Sequence, residues 1–298
     1  AYPSRPITLV VGYPPGGSTD LTARTVGAGL AQRLGQTVVI ENIGGAGGTL
    51  GAAKVAQAAA DGYTLLLGSN NEMAIAGLVQ SSPRYDPLRQ FTPIGMVASQ
   101  PMVLVASGAS GVRDLDGFLA TARRNPGRFS FGSSGVGTAL HLAGEMVKQQ
   151  AGIFVVHIPY RGVAPLTNDL LGGQLEFGVF VLSSGLPHIR SGRVTALGVT
   201  SAQRAAVAPE IPALAEHPAL KGLELTSWFG LWAPAGLPAG PAQRLQTALQ
   251  ETLALPEVRR KLEESGATMA PPGVSLAALQ SQEIEKIRRV VDFAKIRE

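Results

Sequence analysis

Short, wholly apolar runs recur along this chain, and most are followed by a turn rich in glycine and then by helical spacing. A run of that kind suits a strand buried on both faces, and such strands alternating with helices build a largely parallel sheet covered on both sides. The first third predicts strands over 6–11, 37–40 and 63–67, with helices over 21–34 and 50–60. Gly35 closes the first helix and Asp61-Gly62 the second. The rhythm resumes with strands at 102–105, 129–131, 154–158, 175–182 and 194–199 and helices at 115–124, 138–149 and 166–171. Two successive α/β units of similar size in 298 residues indicate two lobes rather than one long sheet.

The tail adds a constraint on topology. A strand-like aromatic run, Ser227-Trp228-Phe229-Gly230-Leu231-Trp232-Ala233, leads through a proline-rich connector into amphipathic helices at 242–255, 257–264 and 276–297. These helices need a sheet to cover, and the first lobe has few of its own, so the chain is expected to return to it. Lobe one is then 1–100 plus 227–298 and lobe two is 101–226. Crossovers near Gln100-Pro101 and Thr226-Ser227 would form a two-strand hinge over a ligand cleft.

Composition removes several kinds of chemistry. There is no cysteine, so disulfides, thiolate nucleophiles and thiolate-bound zinc are excluded. His141, His157, His188 and His217 are scattered with no H-E-x-x-H, so no metal site is expected. No apolar stretch approaches the roughly 18 residues of a membrane span, and the mature chain is expected to be soluble. An exported chain would have shed its leader before Ala1-Tyr2-Pro3. The net charge of +4 is dispersed, and Arg259-Arg260-Lys261 is followed at once by Glu263-Glu264, as on a solvated helix face. Without a basic stripe interleaved with aromatics, a nucleic-acid partner is not expected.

Three loops follow a predicted strand and open a helix, where open α/β sheets bind ligands. The first is Tyr13-Pro14-Pro15-Gly16-Gly17-Ser18-Thr19-Asp20, with Ser18 and Thr19 as candidate helix caps. The second is Gly132-Ser133-Ser134-Gly135-Val136-Gly137-Thr138, and the third, Pro159-Tyr160-Arg161-Gly162-Val163-Ala164-Pro165, adds a guanidinium and a phenol. Helix starts present free N–H groups and partial positive charge, which suits an anion. Each loop taken alone also reads as an ordinary turn, Arg161 as a surface charge and His141 as a core histidine. Gly45-Ala46-Gly47-Gly48-Thr49-Leu50-Gly51 departs from dinucleotide spacing and lacks the acidic residue that should end a following strand. Gly132-Ser133-Ser134-Gly135-Val136 departs from G-x-S-x-G at its last position. No cofactor is expected. Serine hydrolysis would draw on His188 or His217, both in proline-rich turns.

Taken in order, these segments resemble the Bug proteins, the extracytoplasmic solute receptors of tripartite tricarboxylate transporters. The resemblance also runs through Gly44 to Gly51, Asp61-Gly62-Tyr63-Thr64-Leu65-Leu66, His141-Leu142-Ala143-Gly144-Glu145, Asp169-Leu170-Leu171-Gly172-Gly173-Gln174 and Leu186-Pro187-His188-Ile189. It implies a two-lobed α/β periplasmic binding protein of type II fold, non-catalytic, monomeric and periplasmic. Such a protein would grip a ligand carboxylate through bridging waters. By the same resemblance Tyr13, Gly16, Gly17, Ser18 and Asp20 line one wall with Ser69 and Asn70. Ser133, Ser134, Gly135, Thr138, Tyr160, Arg161, Gly162 and Val163 line the other.

One position departs from relatives that bind amino acids. Phe180 stands where those tend to carry an aspartate for the ligand ammonium. A buried ammonium without a partner is costly, so the expected ligand is a small carboxylate without an α-amino group. Glu72 could restore the missing charge from the other lobe, and Phe180 also reads as ordinary core. The expected partners are this carboxylate and the membrane subunits of a transporter, or a sensor domain. The alternative is a small-ester hydrolase using the same cleft, which would need a nucleophile within hydrogen-bond reach of a base.

Overall fold

The computed structural model describes residues 1–296. The chain groups into two compact units, Ala1–Ser99 with Trp228–Arg288 and a second built on Gln100–Ser227. From Arg289 onward the last helix groups with the second unit, whereas the sequence placed all of 227–298 in lobe one.

In the first unit β1 (Ile7–Val11), α1 (Ser18–Leu34), β2 (Val38–Asn42), α2 (Thr49–Ala56) and β3 (Thr64–Ser69) follow in order. A π turn, Asn71–Ile75, runs into the short α3 (Ala76–Val79). β1 lies parallel to β2 and β3, with Leu9 opposite Ile40 on one side and Leu65 on the other. β4 (Phe91–Ser107) is 17 residues long, and its second half is the strand expected at 102–105. Its first half carries Pro93 and Gly95, which read as breakers and hide it.

The second unit holds α4 (Leu115–Arg124), β5 (Ser130–Ser133), α5 (Ala139–Ala151), β6 (Val156–Pro159), α6 (Val163–Leu171), β7 (Phe177–Val181), α7 (Leu182–Arg190) and β8 (Val194–Val199). β5 pairs parallel with β6 and β7, while β7 and β8 both run antiparallel to β4. The sheet is mixed. α7 was not anticipated, because Ser183-Ser184-Gly185 and Pro187 lower its helical signal.

The chain returns through β9 (Thr226–Pro234), which pairs antiparallel with β3 through Leu231 opposite Leu67. Then come α8 (Ala239–Ala254), α9 (Pro256–Glu264), β10 (Thr268–Met269) and α10 (Leu276–Ala294). The helix end expected at Arg297 lies outside the described residues. The first core gathers Leu9, Val26, Leu30, Leu67, Phe229, Leu231, Leu245 and Leu249. Burying a large aliphatic side chain contributes about 1.5–3 kcal/mol, so α1 and α8 are held to the sheet chiefly by this layer. No described helix is long and apolar enough to cross a membrane.

Candidate functional site

β1 and β3 are neighbours in the sheet, so their carboxyl ends bring the loop after β1 beside Ser69 and the turn that follows it. The glycine-rich segment 45–51 belongs here for steric reasons. A Cβ on Gly12 would lie 2.6 Å from the Gly48 carbonyl oxygen, so these two backbones pack with no side chain between them. That explains a run whose spacing fits no dinucleotide loop.

Tyr13, half-buried, donates its O–H to the Glu72 carboxylate, and its oxygen stands 3.1 Å from Ser69 Oγ. The Ser69 hydroxyl donates to Glu72 Oε2 at 2.9 Å, and the Ser69 backbone N–H donates to Oε1. Glu72 is 1% exposed. Burial pushes its carboxyl up to about 7 against these donors. Burial and the adjacent Glu72 charge raise Tyr13. Asn70 is fully buried, and its Oδ1 accepts from the Trp228 backbone N–H at 3.4 Å.

Asp20 takes a different place from the one expected. At 3% exposure it lies beneath its loop. It accepts from the Gly16 N–H (2.9 Å), the Asn42 amide (2.9 Å) and Arg24 Nε (3.0 Å). Burial acts to raise its carboxyl, but Asn42, Gly16 and Arg24 together hold it below its ordinary value. Asp20 is the loop's clamp, with both oxygens engaged by Gly16, Asn42 and Arg24. Gly17, not Ser18 or Thr19, occupies the cap position of α1. The Ser18 hydroxyl has no hydrogen-bond partner among the described residues.

In the second unit β5 and β6 are adjacent, and their two loops are tied to each other. Tyr160 N–H donates to the Ser133 carbonyl (3.0 Å) and Gly162 N–H to that of Ser134 (3.3 Å). Thr138 caps α5, accepting from the His141 N–H at 3.4 Å and donating to the Gly135 carbonyl at 2.9 Å. Gly137 N–H donates to His141 Nδ1 (3.0 Å), which places the ring's one N–H on Nε2, 3.3 Å from Glu145 Oε1. The His141 ring stacks on His157 with centroids 3.6 Å apart.

His157 Nε2 lies 2.6 Å from Ser133 Oγ, a pairing that follows only from β5 and β6 lying side by side. It does not make an activated nucleophile. Ser133 is fully buried, and its oxygen already accepts the Gly135 N–H at 3.2 Å. Burial, then the neighbouring His141, push the His157 imidazole down to about 3, far from the value a general base needs. Ser133 is a loop anchor.

The Tyr160 phenol donates to Asp169 at 2.7 Å, which with burial raises it to about 12. Gly162 caps α6 at φ +98°, and Val163, half-buried, opens that helix. Arg161 is exposed and Ser134 half-buried, and neither side chain has a polar partner among the described residues. Phe180 is fully buried in the second core with Val103, Leu182 and Leu186, the second of its two sequence readings. Its strand is covered on both faces, and alternation alone could not show which side chain faces out.

Unengaged donors thus stand at the first helix start (Ser18) and in the two tied loops (Ser134, Arg161), each at the carboxyl end of a parallel strand. A two-unit mixed α/β fold with such loops is that of a periplasmic binding protein. The chain belongs to the tripartite tricarboxylate transporter family of receptors, whose family description matches residues 22–294. It is 38% identical over 293 residues to the UPF0065 protein in the tcbD-tcbE intergenic region of Pseudomonas sp. (strain P51), covering 98% of this chain and 87% of that one. Among solved structures it resembles R. palustris Rpa4515 with adipate (TM-score 0.90, 32% identity, 100% and 99% coverage). It also resembles MatC from Rhodopseudomonas palustris with bound malate (TM-score 0.85, 31% identity, 97% and 100% coverage).

Proposed function

We propose that this chain captures a small carboxylate in the periplasm and delivers it to the membrane subunits of a tripartite tricarboxylate-type transporter, with the two tied loops of the second unit taking part. The observation that carries this reading is that the Arg161 guanidinium and the Ser134 hydroxyl, neither with a polar partner among the described residues, stand on two loops tied to each other by backbone hydrogen bonds. A guanidinium and a hydroxyl without partners on adjoining loops suit a carboxylate. The bound adipate and malate of the two solved relatives are of the same chemical class. A sensor domain could receive the loaded protein through the same ligand site. With Phe180 in place of an aspartate, a ligand ammonium would lack that partner, which favours a carboxylate without an α-amino group unless Glu72 supplies the charge.

The test is a thermal-shift screen of protein unfolded and refolded to strip bound ligand, against dicarboxylates, tricarboxylates, aromatic acids and amino acids. Ligand at a hundredfold excess over Kd stabilises by about 2.7 kcal/mol, which at about 2–4 °C per kcal/mol is a shift of several degrees. Arg161→Ala should cut the affinity at least tenfold and leave the unliganded midpoint unchanged, because the side chain is exposed and unpaired. If no carboxylate shifts the refolded protein, or the variant binds as wild type does, the reading is overturned.

A further inference from the structure

The net charge is dispersed over the chain as a whole, yet residues 117–168 carry five lysines and arginines against one carboxylate, Glu145. That carboxylate is buried, with His141 Nε2 at 3.3 Å and Lys148 Nζ at 3.1 Å. Arg123, Arg124 and Arg128 are exposed, and none pairs with a carboxylate among the described residues. Arg123 donates to the Ala151 carbonyl at 3.5 Å, and the Arg128 guanidinium stands 5.8 Å from the centre of the Phe129 ring. Arg123 and Arg124 close α4, where cations answer the partial negative charge of a helix end. Arg128 lies beyond the helix and has no such reason to be there.

Two large apolar side chains stand exposed beside these arginines. Phe154 is 55% exposed and Val156 38%, with Val155 buried between them. β6 is the last strand of its sheet, and the turn that leads into β5 is fastened to its start. The Gly127 N–H donates to the Phe154 carbonyl at 3.0 Å, and the Val156 N–H to the Phe129 carbonyl at 2.8 Å. A Cβ on Gly127 would lie 3.0 Å from the Phe154 ring, so the turn rests against that ring. Three guanidiniums and two apolar side chains therefore share one corner of the second unit. This corner lies at the amino ends of β5 and β6, whereas Ser134 and Arg161 follow their carboxyl ends.

We propose that this corner docks the second unit on an anionic bilayer surface. Guanidiniums make forked hydrogen bonds to phosphate oxygens, which an array of lipid headgroups supplies. Phe154 and Val156 add apolar surface for the boundary beneath those headgroups, and the two contributions reinforce each other. Contact through the amino ends of the strands keeps the loops of Ser134 and Arg161 clear of the lipid. The docking goes beyond the capture reading and needs no bound carboxylate.

The experiment is sedimentation of the full chain with vesicles of phosphatidylglycerol and phosphatidylcholine in equal parts, against phosphatidylcholine alone. In low salt wild type should favour the anionic vesicles about a hundredfold, each arginine beside such a surface contributing about fivefold. The preference should collapse in about 0.3 M salt, where screening confines surface charge to less than about 8 Å. The triple variant Arg123→Gln, Arg124→Gln, Arg128→Gln should reduce it at least tenfold. A second triple variant, Arg84→Gln, Arg113→Gln, Arg193→Gln, removes as many exposed arginines elsewhere and should keep most of it. Phe154→Ser should weaken binding to the anionic vesicles severalfold, and every variant is checked for an unchanged circular dichroism spectrum. No preference in wild type, or an equal loss in the second triple variant, overturns the inference. So does wild-type binding by the first triple variant or by Phe154→Ser. Capture of wild type by immobilised polyglutamate with no binding to either vesicle would make the partner an acidic protein segment, and overturns it equally. The sedimentation contains no ligand, so each of these failures leaves the carboxylate reading standing.

Discussion

Glu72, buried, and His157, half-buried, are titratable groups whose shifts affect stability in opposite senses. The Glu72 carboxyl is raised to about 7 from an ordinary 4.5. The folded chain therefore holds that proton more tightly, and the stability it brings is present below pH 4.5 and lost as pH rises through 7. At about 1.36 kcal/mol per unit the loss is on the order of 3 kcal/mol. The His157 imidazole is lowered to about 3 from 6.5, so the unfolded chain binds the extra proton and stability is lost as pH falls below 6.5. Between pH 4.5 and 6.5 the two slopes oppose each other, and the wild-type profile is flattened. Thermal midpoints from pH 4.5 to 7.5 should rise more steeply with pH in Glu72→Gln than in wild type. In His157→Gln, whose amide can reach Ser133 Oγ, they should fall with rising pH. Parallel profiles in all three proteins would contradict these assignments. The donors around Glu72 were individually legible as residues of a binding wall. Their convergence on one carboxylate was not, because it depends on β1 and β3 lying side by side.

At the scale of elements, strands and helices with a clean hydrophobic period were legible, and those crossed by small or breaker residues were not. The front of β4 was hidden by Pro93 and Gly95, and α7 by its serines, glycine and proline. Helix packing gives a sharper case, since nothing around Gly29 in α1 marks it as a contact. A Cβ there would lie 2.3 Å from Thr252 Cγ2 on α8, so Gly29 is what lets the two helices approach. Alanine favours a helix over glycine by about 1 kcal/mol, whereas overpacking costs about 1–3 kcal/mol. Gly29→Ala should therefore destabilise wild type by up to about 2 kcal/mol in chemical unfolding. In a Thr252→Ser background, with the clashing methyl gone, the same change should be neutral or stabilising by up to about 1 kcal/mol. Additive effects of the two substitutions would show that the helices accommodate the methyl some other way.

At the scale of the whole molecule, each unit has its own apolar core and its own loops at the carboxyl ends of parallel strands. A residue at one helix start can then be altered without unfolding the other unit. The free donors are divided accordingly, with Ser18 in the first unit and Ser134 and Arg161 in the second. Ser134 and Arg161 stand on two loops of the second unit that are tied to each other, so if both hold one ligand their contributions to binding are coupled through it. Removing either side chain shifts the ligand and devalues the other, so a double-mutant cycle should close with an interaction energy of about 0.5 kcal/mol or more. Ser134→Ala should weaken the best-binding carboxylate about 3–10-fold, at about 0.5–1.5 kcal/mol per net hydrogen bond. The double variant with Arg161→Ala should lose less than the product of the two single losses. Two real but strictly multiplicative losses would argue that the two side chains do not act on one bound molecule, and the proposal of one capture site on these loops would have to be abandoned.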